Sequence, residues 1–100
     1  MRRVMVRYTL KPGQAELNEK LVKAVYEELA EVKPAGFRYA TVRLKDGLTF
    51  VHIGVSEGED TPLPSIEAFR RFTEDIAARC DVAPQTTEFE VVGNYGLLEG

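Results

Sequence analysis

RYATVRLKDGLTFVHIGV, residues 38–55, is two alternating runs separated by Asp46-Gly47. Alternation of period two is the mark of a strand with one buried face. Asp-Gly between two such runs is the strongest short-range hairpin signal, because a type I′ turn needs positive φ at both central residues. A two-residue turn fixes the register. Lys45 then lies opposite Leu48, Arg43 opposite Phe50, Thr41 opposite His52, Tyr39 opposite Gly54 and Phe37 opposite Ser56. Ala40, Val42, Leu44, Val51, Ile53 and Val55 occupy the other side.

Working outward, residues 3–10 also alternate, with Val4, Val6, Tyr8 and Leu10 on one face and Arg3, Met5, Arg7 and Thr9 on the other. Lys11-Pro12-Gly13 ends that strand, since proline cannot continue a ladder. The period then changes. Leu17, Leu21, Val25 and Leu29 recur every four residues, Val22 and Val32 widen the stripe, and Glu16, Asn18, Glu19, Lys20, Lys23, Glu27 and Glu28 fill the remaining sides. This predicts an amphipathic helix of about five turns, stopped by Lys33-Pro34-Ala35-Gly36.

Beyond the hairpin, EGEDTPLP (57–64) reads as an acidic, proline-punctuated loop. Ile66, Phe69, Phe72, Thr73, Ile76 and Cys80 form the inner stripe of a second helix, capped by Ser65 or Thr61 and closed at Asp81-Val82-Ala83-Pro84. Gln85–Tyr95 alternates again, with Thr87, Phe89 and Val91 on one side and Glu88, Glu90 and Val92 on the other. Gly93–Gly100 is a tail. The order β-α-β-β-α-β predicts an α+β, ferredoxin-like fold over residues 1–100. Its four-stranded antiparallel sheet has the order 4-1-3-2, with both helices on one face.

A chain of 100 residues, 44% hydrophobic and 29% charged, makes one small globular domain. Net charge is −3, and the only adjacent arginines are Arg2-Arg3 and Arg70-Arg71, so a nucleic-acid partner is not expected. No apolar run spans a bilayer, and no signal-type segment opens the chain, so neither a membrane partner nor export is expected and the cytoplasm is the expected compartment. A single cysteine, Cys80, precludes an internal disulfide and a cysteine-based zinc site.

The sequence pattern expects the uniformly apolar strand faces under the helices. That leaves a mixed face of Arg3, Met5, Arg7, Thr9, Phe37, Tyr39, Thr41, Arg43, Phe50, His52, Glu88, Glu90 and Val92 on the opposite side. So much aromatic surface is poorly tolerated by a monomer and favours a homodimer in which two sheets meet face to face.

The opening VRYTLKPGQAELNEKLVKAV (6–25) and the later SIEAFRRFTEDI (65–76) resemble the antibiotic biosynthesis monooxygenase-like family of dimeric α/β barrels, and the resemblance covers nearly the whole chain. It implies a small dimer with a pocket between sheet and helices. Some members of that family oxygenate aromatic polyketides without a cofactor and others degrade haem. The cofactor-free members place tryptophan, asparagine and tyrosine around the substrate; this chain has no tryptophan.

The candidate catalytic residues are His52, Tyr39 and Arg7. Imidazole serves as base or hydrogen-bond donor near neutral pH. Against this, and favoured over it, His52 is a structural histidine hydrogen-bonded to Thr41 or to a carboxylate across the barrel. Tyr39 is either a phenol donor or a ring packed over Gly54, and Arg7 either an anion clamp or a cross-strand partner of Glu88 or Glu90. Phe37, Thr41, Arg43, Phe50 and Met5 are the expected lining of a pocket for a small aromatic molecule. No cofactor and no metal are expected, because a metal site needs several ligands and with no second histidine only carboxylates could help. The alternative to an oxygenase is a non-catalytic binding or structural dimer.

Overall fold

The computed structural model describes residues 1–98. Its strands are β1 (Arg2–Leu10), β2 (Phe37–Arg43), β3 (Thr49–Ser56) and β4 (Cys80–Glu88); its helices are α1 (Ala15–Val32), α2 (Glu67–Glu74) and the single turn α3 (Ile76–Arg79). The sheet is antiparallel in the order β2-β3-β1-β4, the predicted order read from the other edge. The predicted tail is described as far as Leu98; Glu99 and Gly100 lie outside the described residues.

The hairpin register holds from Phe37–Ser56 to Arg43–Phe50, with Thr41 opposite His52. The turn differs from the expected type. The Gly47 N–H donates to the Leu44 carbonyl at 2.9 Å, and Gly47 alone of the pair has positive φ, at 77°. Asp46 stays out of the left-handed region because its carboxylate closes the turn instead. It accepts from the Leu48 and Thr49 N–H groups at 2.9 and 2.8 Å and from the Thr49 hydroxyl. Those donors hold its carboxyl below the usual range, the Thr49 hydroxyl first.

In α1 the buried side chains are Ala15, Asn18, Val22 and Val25, whereas Leu17 is 48% exposed. Four-residue steps overshoot a turn by about 40° each, so the Leu17-Leu21-Val25-Leu29 stripe winds off the core. The stripe that stays buried steps by three and four, and Asn18 stands on it. Lys33 ends α1 in the left-handed conformation, its N–H donating to the Leu29 carbonyl at 2.8 Å.

The second helix is shorter than expected and is capped by neither Ser65 nor Thr61. The Glu28 carboxylate of α1 accepts the Glu67 and Ala68 N–H groups at 3.1 and 2.9 Å, satisfying two donors at the start of α2. Cys80, expected on the helix, opens β4, and residues 81–84 continue that strand. The proline does not break it, because Pro84 falls where the β1–β4 register shifts, between the pairs Arg7–Gln85 and Thr9–Val82. An edge-strand bulge is where proline is tolerated. Phe89 and Val91 lie beyond the strand and do not enter the core.

The main correction concerns the faces of the sheet. Cross-strand partners share a face, and β3 pairs with β1 as Val4–Gly54, Val6–His52 and Tyr8–Phe50. Phe37, Tyr39, Thr41, Arg43, Phe50 and His52 therefore share the helix-covered side with Val4, Val6 and Tyr8. Met5, Arg7, Ala40, Val42, Val51 and Ile53 lie on the opposite, outer side. The core joins Tyr8, Leu10 and Phe50 of the sheet to Val22 and Val25 of α1 and Ile66 and Phe72 of α2 and its approach. The expected face holds for β1 and is reversed in the hairpin: hydrophobicity alone does not pick the covered side there, because the hairpin's polar residues satisfy one another and so can be buried.

Candidate functional site

The inner face of the sheet places His52 on β3 between two tyrosines. Tyr8, one strand away, is fully buried, and its hydroxyl lies 2.8 Å from His52 Nε2. On the other side, the Tyr39 hydroxyl and Thr41 Oγ1 lie 2.9 and 2.8 Å from His52 Nδ1. The chain of contacts continues both ways. Asn18 Nδ2 of α1 donates to the Tyr8 oxygen at 2.8 Å, and the Tyr26 hydroxyl meets Thr41 Oγ1 at 2.7 Å. Behind Asn18, buried Arg79 Nη2 donates to the Phe72 carbonyl at 2.7 Å and reaches Asn18 Oδ1 at 3.4 Å.

Burial decides the ionisation of this cluster. His52 is 3% exposed, and desolvation of the imidazolium pushes its pKa down to about 4. Burial raises both Tyr8 and Tyr39; for Tyr8 the hydrogen bond from Asn18 opposes the shift, and for Tyr39 the neighbouring phenols Tyr26 and Tyr8 add to it. At neutral pH His52, Tyr8 and Tyr39 are neutral hydrogen-bonding groups.

Beside it lies a cavity of about 210 Å³, between the sheet, the loop after β3 and α2. Val4, Val6, Phe37, Leu63 and Phe69 give apolar walls, and Tyr39, His52, Ser56, Thr61 and Thr86 supply polar groups to the lining. Gly54 belongs to its floor. A Cβ there would meet Tyr39 Cδ1 at 3.5 Å, so the expected stacking of Tyr39 over Gly54 is present. Arg2, on the same face four residues before Val6, also lines the space.

Of the residues singled out from sequence, His52, Tyr39 and Phe37 come together around this cavity. Thr41 stands behind His52 as its hydrogen-bond partner. Phe50 packs in the core, stacked on Tyr8 at 5.8 Å between centroids, and Arg43 lies over the Phe50 ring while pairing with Glu16 and Glu19. Arg7 and Met5 are on the outer face. Arg7 stands opposite Gln85, and Glu88, expected as its partner, pairs with Arg2 at 3.9 Å. Tyr8, Asn18, Tyr26 and Arg79 were not expected at the site. Asn18 had a signal in the sequence, its three- and four-residue spacing to Val22 and Val25. Among the described residues, no group of three or more His, Cys, Asp or Glu is placed to hold a metal ion, and no helix is long and apolar enough to cross a membrane.

No protein-family model matches the chain, and no curated protein matches it. Solved structures do. SnoaB, a cofactor-independent oxygenase from Streptomyces nogalater, superposes with a TM-score of 0.68 at 17% identity, over 96% of this chain and 97% of its own. An antibiotic biosynthesis monooxygenase gives 0.67 at 20% identity, over 93% and 100%. A protein of unknown function from Nitrosomonas europaea gives 0.74 at 15% identity, over 99% and 95%. The chain has the antibiotic biosynthesis monooxygenase-like fold along almost its entire length; at these identities the likeness is one of fold.

Proposed function

We propose that the protein binds a small aromatic molecule in the cavity between sheet and α2 and oxygenates it without a cofactor, as a homodimer. The observation that carries this reading is the cavity itself: a mainly apolar space of about 210 Å³ with Tyr39 and His52 among its few polar wall groups. A pocket that is apolar with a few convergent polar groups is the usual form of a small-molecule site. The chemistry asks little of the protein. A phenol and dioxygen give a quinone and water: two electron pairs leave the ring, one oxygen atom enters it and the other departs as water. The site holds the aromatic ring away from bulk solvent and fixes its oxygen against the tyrosine–histidine pair. The fold it shares with a cofactor-independent oxygenase supports the same reading.

The homodimer is supported by the outer face. Met5, Ala40, Val42, Val51 and Ile53 form a contiguous apolar strip there, and Val42 is 48% exposed. A second sheet laid on this strip removes it from water.

One observation favours a second reading, a non-catalytic binding protein. His52 has both ring nitrogens engaged and is a weak base at its lowered pKa, so the cavity wall offers no ready acceptor for a substrate proton. Oxygen uptake over a panel of phenols and quinols, without added metal or flavin, separates the two. Uptake by the wild type that is lost in Tyr39→Phe supports the oxygenase. Binding without uptake selects the binding protein, and absence of binding to any member of the panel refutes both.

A further inference from the structure

We infer that Phe37 sets the upper size of the ligand: the cavity takes one aromatic ring or a compact fused pair, and the Phe37 side chain is the partition that keeps a longer fused system out. The inference rests on the small-molecule reading of the cavity and adds to it the size class of the ligand and the residue that fixes it.

Two spaces meet at this side chain. The cavity of about 210 Å³ lies toward β1 and α2. An open cleft of about 320 Å³ lies toward the end of α1, lined by Tyr26, Leu29, Ala30 and Lys33. Among the described residues, Phe37 and Tyr39 alone belong to both walls. The order of the rings places them between the two spaces. Tyr39 stands with His52 at 5.8 Å between centroids and Tyr26 at 5.4 Å. His52 lines the cavity and not the cleft, and Tyr26 lines the cleft and not the cavity. Phe37 stacks on Tyr39 at 5.6 Å with the planes 25° apart, so the two rings extend one wall.

The two members of that wall differ in what holds them. The Tyr39 hydroxyl lies 2.9 Å from His52 Nδ1, and its ring packs over Gly54. Phe37 is held by packing alone. It opens the edge strand β2 opposite Ser56, directly after Gly36. Gly36 has a φ of 67°, and its carbonyl accepts the Glu57 N–H at 2.9 Å. The turn thus sets the backbone at this point, and the Phe37 ring can be removed without stranding a hydrogen bond. Volume sets the size class. A cavity of about 150 Å³ takes one benzene ring, so 210 Å³ takes a substituted ring or a compact bicycle. A third fused ring needs the room that Phe37 fills.

The test uses three probes that carry one acetyl group on one, two and three fused rings: acetophenone, 1-acetylnaphthalene and 9-acetylphenanthrene. Their binding to the full chain is measured by equilibrium dialysis. The wild type is expected to bind the first two, and to bind 9-acetylphenanthrene about ten- to a hundred-fold more weakly, the scale of forcing excess bulk into a packed space. Phe37→Ala should raise binding of 9-acetylphenanthrene by about ten-fold or more and weaken acetophenone only a few-fold. Phe37→Leu, the milder truncation, should show the same gain in smaller measure, and it carries the comparison if circular dichroism shows Phe37→Ala unfolded. Ala30→Trp fills the cleft from an exposed position on α1. Alone it should leave acetophenone binding unchanged; added to Phe37→Ala it should cancel the gain. A folded truncation that gains nothing for 9-acetylphenanthrene, or a gain that survives Ala30→Trp, would overturn the partition while leaving the pocket. Equal binding of all three probes by the wild type would overturn the size limit. Failure of all three to bind the wild type would overturn the pocket reading and this inference with it.

Discussion

The two faces of the sheet invert the usual rule of thumb. The inner face carries the only histidine, two tyrosines and a threonine, and it is buried under the helices. The outer face carries Met5, Ala40, Val42, Val51 and Ile53 beside Arg3, Arg7 and Arg38, and the described fold leaves Ala40 and Val42 exposed. Residue polarity does not say which side of a strand is covered. What says so is whether the polar groups have partners. His52, Tyr8, Tyr39, Thr41 and Asn18 satisfy one another, and burial then costs little. The apolar outer strip has no such polar network; Leu97 and Leu98 adjoin it at Ala40, Ile53 and Val55, and the proposed homodimer would cover the rest.

Placing the same charge on each face breaks or confirms the comparison most directly. Phe50→Asp puts a carboxylate into the core beside Tyr8. Truncating a core phenylalanine already costs about 3–5 kcal/mol, and a buried unpaired charge costs more. Against the 5–15 kcal/mol that typically separates folded from unfolded states, this variant should fail to fold, as read by circular dichroism. Arg43, which lies over the ring at 5.7 Å, is held by Glu16, Glu19 and the Gly47 carbonyl and is poorly placed to rescue it. Ile53→Asp, three residues along on the opposite face, should instead leave the circular dichroism spectrum intact. In sedimentation it should turn a dimer of 11.2 kDa protomers into a monomer, with association weakened by on the order of a hundred-fold. Equal unfolding of both variants would show that the outer face is as structural as the inner one. A wild-type monomer would remove the reason for its apolar strip.

The element order, the strand order and the hairpin register were all legible in the sequence, because Asp46-Gly47 and the period-two runs encode local geometry. The pairing of Thr41 with His52 and of Tyr39 with Gly54 followed from that register alone. The relation between β1 and the hairpin was not legible, because it depends on long-range pairing, and a one-residue slip exchanges the faces of every strand. The same limit hid half of the site. His52, Tyr39 and Phe37 could be named because they share one hairpin. Tyr8 and Asn18 are residues whose partners come from other elements, and Arg79 is placed by the single turn α3, set off from α2 by a break at Asp75 that the periodicity does not show. Cys80–Pro84 misled for a related reason: proline reads as a stop, and only the bulge in the β1–β4 pairing shows how the strand absorbs it.

A smaller effect sharpens the inner half of the comparison. His52 titrates near pH 4 in the fold and near 6.5 when unfolded. Between those values the unfolded chain binds the extra proton. The stabilising contribution is therefore complete above about pH 6.5 and is lost as pH falls toward 4. The full difference corresponds to roughly 3 kcal/mol. Denaturant melts of the wild type should show stability falling over this window. His52→Gln should lose that slope while keeping the losses below about pH 4.5 that come from Glu67 and Asp46, whose pKa values are lowered by Arg71 and Thr49 respectively. At neutral pH the variant should be destabilised by about 1–3 kcal/mol, the cost of leaving the Tyr8 hydroxyl without its acceptor. An unchanged slope would mean that His52 is not sealed under the helices.

The smallest expected effect on stability comes from Gly54→Ala. Gly54 stands on the covered face, yet an added methyl would meet only ordinary contacts, Tyr39 Cδ1 at 3.5 Å and Val4 Cγ2 at 3.7 Å. Its φ is not in the left-handed region, so alanine fits the backbone, and replacing a strand glycine removes some unfolded-state freedom. The two effects oppose, and the stability change should stay within about 1 kcal/mol. The methyl would nevertheless occupy the floor of the cavity, against the ring of Tyr39. Binding of an aromatic probe such as acetophenone should therefore weaken several-fold while the melting curve barely moves. That separation is what distinguishes a cavity kept open for a ligand from a gap left by imperfect packing. If the variant were instead clearly stabilised and the probe bound as before, the space over Gly54 would be a packing defect, and the inner face would be core throughout.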